Sequence, residues 1–486
     1  MGNYQKKKQA TKKLKWADVH PITYTEEQEE RKQKMWAETL TNLIKEMSVV
    51  GNRYNEESCS SSNQQIDENT QESQQIVKEN EENIVEYYED ELPELTELSK
   101  ELCPPIQDQQ GYLLCKTGYW ITDKCELFFD NKLLKLLGDG VFARVYLVAE
   151  ENCEKTSPTH KALKIVRNTQ AYREAALHEI KVLTKLHSSN NVEKDELVSS
   201  HLVVKLLEHF YFYDHTCLVF EPYGKSIFDF MKGNLYHPYP LEQIRYIAYQ
   251  LILAVNHVHN CGLTHTDLKP ENILFVNSDE YVLKPRWDTP YEEHSSNSKR
   301  TRKARKGIRV LKDATIRLID FGSAVFDDER HEETITTRHY RAPEVILKNG
   351  WSYPCDVWAI GCILFELYSG CPLFPKMDPI QHMASIERIL GPVPTSMKKA
   401  SSCELYKSNN QLNCSRELKQ SVEERFRELH NYIKERTLEH TQFFCLLKRL
   451  LSINPSTRIN LKTAREHAFF ENLDKSLRIK AENGGK

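Results

Sequence analysis

His265-Thr266-Asp267-Leu268-Lys269-Pro270-Glu271-Asn272 is the most informative run in this chain of 486 residues. It holds a carboxylate, an ammonium group and a carboxamide at fixed offsets in one short loop. Moving a phosphoryl group onto a hydroxyl requires those three groups: one orients the hydroxyl and takes its proton, one neutralises the phosphoryl group, and one holds a metal ion. The run therefore predicts catalytic roles for Asp267 and Lys269 and a metal-binding role for Asn272.

A glycine-containing turn between two strand-like runs is the candidate site for a nucleotide. Glycines let backbone N–H groups approach phosphates, because a side chain there would collide with the ligand. Two glycines at this spacing are weak support alone, since an ordinary β-turn has them too. The predicted nucleotide-binding residues of this turn are Leu137, Gly138, Asp139, Gly140, Val141, Phe142, Ala143, Arg144 and Val145.

Two further segments supply the charges that this chemistry needs. Lys164 lies in an apolar strand-like run, and a lysine in such a run usually lies on a solvated face of the strand. Glu179 in the following helical segment favours a functional role for Lys164 instead, because it can serve as the partner of the lysine. A Lys–Glu pair places the ammonium group on the phosphates. Asp320-Phe321-Gly322 follows a run of apolar residues and predicts a second metal ligand in Asp320.

Downstream of these motifs, three residues have predicted roles in holding the site together. We expect an ion pair between Glu344, which lies in Ala342-Pro343-Glu344, and Arg458. Its contribution to stability depends on whether the pair is exposed or buried. Asp356 begins an apolar helix and could serve only as its N-cap. We expect it instead to reach back to the backbone of the 265–272 loop.

Composition and charge exclude several classes of protein. Lys plus Arg number 66 against 70 Asp plus Glu, and a net charge of −4 argues against general coating of nucleic acid. The 13 cysteines include no Cys-x-x-Cys pair, and no apolar N-terminal stretch of a secretory signal occurs. The densest apolar run, 358–374, contains Glu366 and is too short to span a bilayer. These features predict a soluble intracellular protein with free thiols and no membrane partner.

The composition changes near residue 130, where the chain is expected to become compact. Lysines at 6–8, 12, 13 and 15 form a basic cluster that fits a nuclear-import signal, an anion patch or a solvated arm, and 56–97 is acidic and poor in large apolar residues. We predict a largely disordered extension at 1–130 with a candidate helix at 25–47, a folded domain at 131–470 and a tail at 471–486. Within the domain we expect a strand-rich half at 131–223, a helical half at 224–470 and an insertion at about 279–313.

The motifs, in this order, resemble those of the eukaryotic protein kinases over about two-thirds of the chain. Thr264-His265-Thr266-Asp267 has Thr where most kinases have Arg. Together with Ser323-Ala324, the run from Thr337 to Glu344, and Gly350-Trp351-Ser352, it is similar to the CDC2-like, or LAMMER, kinases.

The resemblance implies an α+β bilobal protein-kinase fold with a β-rich N-lobe and a helical C-lobe. It implies ATP under the 138–145 loop, adenine at a hinge that includes Glu221, and two Mg²⁺ ions on Asn272 and Asp320. It also implies Ser/Thr kinase activity with autophosphorylation on Tyr. The expected substrates are basic or Arg/Ser-rich proteins such as splicing factors. The expected location is the nucleus, and the cytoplasm is a second possible location. We expect a monomer that binds no nucleic acid directly.

Three departures from the family pattern have predicted consequences. Ala143 replaces the third glycine of the loop, which is expected to stiffen it. The helix that names the family is degraded at 381–392, because Ser385 and Ile386 replace two methionines and Gln381 replaces an acid; an altered Arg/Ser preference is therefore expected. Thr266 replaces an arginine that normally neutralises a phosphate, so we predict that no activation-segment phosphate is required.

Glu271 occupies the position at which related kinases bind an arginine of the substrate. The alternative is that its carboxylate only accepts hydrogen bonds within its own loop. The insertion contains a basic run at 299–306 that fits a second nuclear signal, an anion site, an autophosphorylation target or a solvated loop. Two rival functions remain. One is a kinase with a proline-directed preference, which Arg341 disfavours. The other is a non-catalytic scaffold, which is disfavoured because Lys164, Asp267 and Asp320 are all present. A nucleic-acid-binding protein would depend on the basic runs alone.

Overall fold

The structure is a computed structural model that describes residues 106–115, 118, 120–121, 130–151, 159–188, 197–284 and 307–483. The N-terminal basic cluster, the helix predicted at 25–47, the acidic stretch 56–97 and the basic run 299–306 lie outside these residues. The described residues all belong to one compact unit.

The first half of the described chain is a six-stranded antiparallel sheet in the order β3-β4-β5-β6-β8-β7. A separate two-stranded pair, β1–β2, precedes it. The strands are β1 (Ile106–Gln107), β2 (Leu113–Leu114), β3 (Trp120–Ile121), β4 (Asp130–Asp139), β5 (Ala143–Glu151), β6 (Thr159–Val166), β7 (Leu206–Phe212) and β8 (His215–Phe220). One helix, α1 (Gln170–His187), packs against the sheet through Ala176, Val182, Leu183 and Leu186.

Short strands occur early in the second half, where they support loops. These are β9 (Leu263–Thr264), β10 (Ile273–Phe275), β11 (Tyr281–Lys284), β12 (Ile308–Leu311), β13 (Ile316–Leu318) and β14 (Val325–Phe326). They pair as β10–β13, β11–β12 and β9–β14. The β11–β12 pair is the base of the predicted insertion, and the β9–β14 pair holds the two loops of the candidate site side by side.

The second half is predominantly helical, as predicted. Its helices are α2 (Ile227–Gly233), α3 (Leu241–Asn260), α4 (Pro343–Ile346), α5 (Pro354–Ser369), α6 (Pro379–Leu390), α7 (Thr395–Ala400), α8 (Arg416–Arg425), α9 (Leu438–Leu450), α10 (Leu461–Ala464) and α11 (Lys475–Asn483). In α5 every residue from Cys355 to Tyr368 is buried. A helix that is apolar on all sides is the centre of a core, so α5 anchors the elements around it. Among the described helices, none combines the length and apolarity that a bilayer crossing requires.

The α+β architecture with a β-rich half and a helical half is confirmed. Ordered structure begins earlier than residue 131, the predicted start of the folded domain, because β1, β2 and β3 lie before it. The tail predicted from residue 471 includes α11, whose Ala481 is buried against the main core. The three strands are only two residues long each and α11 is rich in polar residues, so their order comes from contacts with the rest of the fold.

Candidate active site

Lys164 lies between the sheet and α1 and is paired with Glu179. Its Nζ is 2.8 Å from both carboxylate oxygens of Glu179 and 3.4 Å from Oδ1 of Asp320. Burial acts to lower the pKa of Lys164, but the two carboxylates outweigh it and hold the pKa above its usual value. The ammonium group is therefore charged and fixed in position, where it can contact a phosphate oxygen.

Asp320 occupies a strained backbone conformation at the entrance of the Asp320-Phe321-Gly322 turn. Its φ is +64°, which is uncommon for a residue other than glycine. Phe321 is fully buried beneath it and packs on the ring of His265, with the ring centroids 4.9 Å apart. Burial acts to raise the pKa of Asp320, yet Lys164 and other nearby cations hold it below the usual range. The carboxylate is thus ionised and directed towards Lys164.

The 265–272 loop is held by Asp356 at the start of α5. The two oxygens of the buried Asp356 carboxylate accept hydrogen bonds from the backbone N–H groups of His265 (2.8 Å) and Thr266 (3.0 Å). Thr266 has a φ of +66°, and for a β-branched residue this conformation persists only when its surroundings impose it. Asp356 therefore reaches back to the loop backbone, as predicted.

Asp267 has partners on both of its oxygens. Lys269 donates to Oδ2, while Oδ1 accepts from the hydroxyl of Thr337 (2.8 Å) and from its backbone N–H (3.2 Å). The carboxylate is thereby aimed at the segment that follows Asp320. The sequence marks Thr337 only as the first residue of the family-like run that ends at Glu344. Its contact with Asp267 was missed, because nothing local indicates that the two residues meet.

Asn272 and Asp320 can together supply oxygen ligands to a cation. The amide nitrogen of Asn272 donates to the carbonyl oxygen of Asp267 (2.9 Å), so the amide oxygen is the atom that remains for a metal. Within the described ranges no group of three or more His, Cys, Asp or Glu is arranged around a metal position. A two-ligand set fits Mg²⁺, which keeps waters and is completed by substrate phosphates.

The predicted nucleotide-binding run spans the end of β4, the turn and the start of β5. Gly138 pairs with Val145, and Leu137, Val141 and Phe142 are exposed. The side chains of Asp139 and Arg144 pair with each other at 3.2 Å, so mainly their backbone is left for a ligand. The turn is closed by a hydrogen bond from the N–H of Gly140 to the carbonyl of Ala143 (3.0 Å).

The predicted hinge residue, Glu221, and the predicted Glu344–Arg458 pair both lie in described parts of the chain. Glu221 directly follows β8, is exposed, and accepts a hydrogen bond from the hydroxyl of Tyr223 (3.1 Å). Glu344 and Arg458 form a two-armed pair, with nitrogen–oxygen distances of 2.6 and 2.9 Å, and both side chains are buried. Because Arg458 also donates to the carbonyl oxygen of Pro354 (2.6 Å), it ties α4 to the start of α5.

Below the loop lies a group of carboxylates that sequence analysis found only in part. Burial, followed by the charges of Glu366, Asp229 and Glu271, raises the pKa of the Tyr236 phenol. Burial, followed by Glu271, raises the pKa of Glu366 to about 8 even though it accepts a hydrogen bond from Tyr340 (2.7 Å). The Glu271 side chain is exposed, yet the protein around it desolvates the carboxylate enough to raise its pKa. Glu366 appeared in the sequence only as an interruption of an apolar run, and that interruption was the available signal.

The helix that carries the degraded family signature is α6. Its His382, Ser385 and Ile386 are buried, and Ser385 bonds back to the carbonyl oxygen of Gln381 (2.8 Å). Glu387 accepts from Lys398 (2.9 Å), from the hydroxyl of Tyr406 and from a backbone N–H. The departures at Ser385 and Ile386 thus lie in the core, whereas Gln381 is half-buried at the start of the helix.

Comparison with known proteins gives concordant matches. The protein kinase domain family matches residues 131–470. The dual specificity protein kinase CLK2 of Mus musculus is 40% identical over 365 residues, which cover 75% of this chain and 67% of that protein. CLK4 of Homo sapiens is 40% identical over 372 residues (76% and 70%). The serine/threonine-protein kinase Doa of Drosophila melanogaster is 40% identical over 384 residues (77% and 42%).

A solved kinase domain gives the same picture for the fold. Its crystal structure matches with a TM-score of 0.62 and 31% sequence identity, covering 75% of this chain and all of that domain. The chemistry-bearing residues described above all lie within residues 131–470, which the family match covers.

Proposed function

This chain belongs to the CDC2-like, LAMMER-type dual-specificity protein kinases, and we propose that it transfers the γ-phosphoryl group of ATP to Ser and Thr in Arg/Ser-rich proteins, including splicing factors in the nucleus. The observation that carries the phosphoryl-transfer part is the assembled group Lys164, Glu179 and Asp320, joined by distances of 2.8 and 3.4 Å. Protein kinases as a family use ATP and Mg²⁺, and the donor atoms present here suit both.

The mechanism follows from the positions of these side chains. Lys164 would hold the phosphates, and Asp320 and Asn272 would supply oxygen ligands for magnesium. When bound there, magnesium would neutralise charge on the phosphates. Asp267 orients the acceptor hydroxyl and takes its proton, while Lys269, bonded to Asp267, offers a cation beside the transferring group. Thr337 keeps the Asp267 carboxylate from rotating.

The preference for basic substrates is supported by Glu271 in the 265–272 loop. Its side chain is exposed, and its pKa is raised because the surrounding protein disfavours the charged form. A substrate arginine beside Glu271 would restore that charge and could form bidentate hydrogen bonds with the carboxylate. The nuclear and splicing parts of the proposal are supported by resemblance to the family, not by geometry.

The test is transfer of radiolabelled phosphate from Mg-ATP to an Arg/Ser-repeat peptide, with a Lys/Ser-repeat peptide of equal charge as the matched substrate. We expect the Arg/Ser peptide to be preferred and Asp267→Asn to abolish transfer. Equal use of both peptides would contradict the arginine preference while leaving the kinase intact. Bound ATP with no transfer to any peptide would instead favour the scaffold.

One observation favours a second substrate class with proline after the acceptor. Thr336 has a φ of +71°, and its carbonyl oxygen accepts a hydrogen bond from Arg341 (2.7 Å). It directly precedes Thr337, which contacts Asp267, so it lies beside the acceptor position. Because this carbonyl already accepts a hydrogen bond from Arg341, it is not available to the backbone N–H of a substrate residue. Proline has no N–H, so a proline at that position forgoes no hydrogen bond. Arg341 disfavours this substrate class when only the sequence is considered, but its hydrogen bond to Thr336 supports the class in the structure.

Matched Arg-x-x-Ser-Pro and Arg-x-x-Ser-Ala peptides distinguish the two classes. We expect the Ser-Pro peptide to have the higher kcat/KM, and Arg341→Lys, which loses the forked donor, to narrow the difference. Equal kcat/KM for both peptides in the unmodified enzyme would reject the proline preference.

A further inference from the structure

The turn between β4 and β5 is contacted from outside by a segment that the family match does not include. That segment is 106–115, which precedes the matched residues 131–470. Its central residue, Tyr112, is buried, and its hydroxyl lies 2.9 Å from the carbonyl oxygen of Gly140 and 3.0 Å from that of Val141. A phenol has one proton, so this is a single hydrogen bond shared between two carbonyls of the turn.

The ring of Tyr112 is held between two guanidinium groups. Arg144 and Arg167 lie 4.4 and 4.6 Å from the ring centroid. Arg167 donates a second hydrogen bond to the carbonyl of Val141 (3.0 Å) and another to the backbone of Gln110 (2.7 Å). Cations over an aromatic face are attracted to it, so the phenol cannot swing away without breaking several contacts.

The tip of the turn is fixed from the other side by α1. Phe142 packs edge-on against Tyr172, with centroids 5.5 Å apart, and Arg167 also lies over the ring of Tyr172 (4.7 Å). The backbone N–H of Arg167 donates to the carbonyl of Phe142 (3.1 Å). Three successive carbonyls of the turn, at 140, 141 and 142, therefore have donors outside the turn.

The consequence concerns the N–H groups of the same peptides. In a planar trans peptide the N–H points opposite to the C=O. With the carbonyls of Gly140 and Val141 turned to Tyr112, the N–H groups of Val141 and Phe142 are turned the opposite way, as phosphate binding by this turn requires. We propose that Tyr112 is a positioning residue for the nucleotide phosphates, acting through the backbone of the 138–145 turn.

This arrangement complements the Ala143 substitution. Two glycines leave the turn fewer backbone conformations than three, and the external donors select one of them. Segment 106–115 is thus part of the catalytic unit, and a protein trimmed to residues 131–470 would lack it. The inference rests on the proposed use of ATP at this turn.

The test compares the affinities of ATP and adenosine for the full chain and for Tyr112→Phe, which keeps the ring between the two arginines and removes only the hydroxyl. Adenosine has no phosphates. We expect the Kd for ATP to rise about two- to tenfold, the range that one net hydrogen bond supports, and the Kd for adenosine to stay within about twofold of the unmodified value. KM for ATP should rise in parallel while KM for the peptide is unchanged. Tyr211→Phe is the control, because Tyr211 is an exposed phenol on the far edge strand β7.

Each outcome decides the matter. An equal loss of affinity for ATP and adenosine in Tyr112→Phe would mean that Tyr112 only supports packing of the lobe. Unchanged affinity for both would mean that the hydroxyl of Tyr112 does not position the phosphates. Arg167→Gln, which weakens the second donor to Val141, should reproduce the ATP-selective loss. If the unmodified chain failed to bind or use ATP at all, the proposed function itself would fall, before any variant was compared.

Discussion

The hydroxyl of Thr266 donates a hydrogen bond of 2.6 Å to the backbone carbonyl of Ser323. This contact joins the 265–272 loop directly to the segment that follows Asp320. Kinases with arginine in place of Thr266 join these parts through a phosphate. Here a neutral side chain does so within the chain itself, while Lys164 and Glu179 are already paired.

We predict from this contact that the enzyme is active without a phosphate on its activation segment. Protein treated with phosphatase, and shown by mass spectrometry to carry no phosphate on Thr334, Thr336 or Thr337, should keep most of its kcat. Activity that returned only on re-phosphorylation of one of these residues would sink the prediction. Alanine at Thr334 is the informative single change, because Thr336 and Thr337 also contribute to the site.

Thr266→Val should show what the hydroxyl itself contributes. Valine keeps the β-branched shape at the strained backbone position and leaves the carbonyl of Ser323 without the donor of this partly buried hydrogen bond. We expect the free energy of unfolding to fall by about 1–2 kcal/mol, with a lower kcat, measured by urea denaturation and steady-state kinetics. Thr334→Val is the matched control, and an equal effect there would contradict the argument.

Lys164→Met should reduce kcat/KM for ATP by about 100-fold or more, as expected when a preorganised charge at the reacting group is lost. The variant also leaves Glu179 buried without its cation, so Glu179 should take up a proton. Glu179→Gln keeps the shape and removes the charge that positions Lys164, and we expect a smaller loss in the same parameter. Wild-type kcat/KM in Lys164→Met would exclude the assigned mechanism.

Glu366 predicts a specific dependence of stability on pH. Its pKa in the folded protein is about 8, against 4.5 for an ordinary glutamate, with burial as the main cause. Between these values the folded state binds more protons than the unfolded state, so stability falls as pH rises. This contribution is complete below about pH 4.5 and is lost as pH passes through about 8. Glu366→Gln should therefore gain stability relative to the unmodified protein over this window.

Urea denaturation at several pH values measures the difference between the two proteins, which we expect to be on the order of a few kcal/mol at pH 8 and above. The exposed Glu423→Gln on α8 is the control and should show no such trend. Parallel pH profiles for Glu366→Gln and the unmodified protein would mean that Glu366 is ionised throughout.

Breaking the pair of Glu344 and Arg458 should destabilise the helical lobe strongly. Both side chains are buried, and Arg458→Ala leaves the Glu344 carboxylate without a partner in the core. Removing one partner of such a pair costs roughly 3–5 kcal/mol. Thermal or urea denaturation measures this, and Arg465→Ala, which removes a partly exposed arginine from the same region, serves as the control. A loss below about 1 kcal/mol, the range of exposed pairs, would contradict the assignment.

Much of the fold was predictable because its periodicity is local. The helix α3, Leu241–Asn260, lies in the half predicted to be helical, and its sequence has an apolar helical repeat with few breaks. Strands β5, β6 and β8 lie in the half predicted to be rich in strands, and each is formed by an alternating or apolar run. The segments before residue 130 and after residue 471 were misjudged, because β1, β2 and α11 are too short or too polar to carry a signal of their own.

The sequence by itself was enough to predict which residues carry the proposed chemistry. Asp267, Lys269, Asn272, Lys164, Glu179 and Asp320 were each marked by a motif whose spacing along the chain is characteristic. Only the tertiary structure decided which contacts hold the site: Thr337 on Asp267, Ser323 on Thr266, and Tyr112 on the carbonyls of Gly140 and Val141. Motifs record local spacing, whereas these contacts join residues from 28 to 70 positions apart, and such partners meet only when the chain has packed around its core.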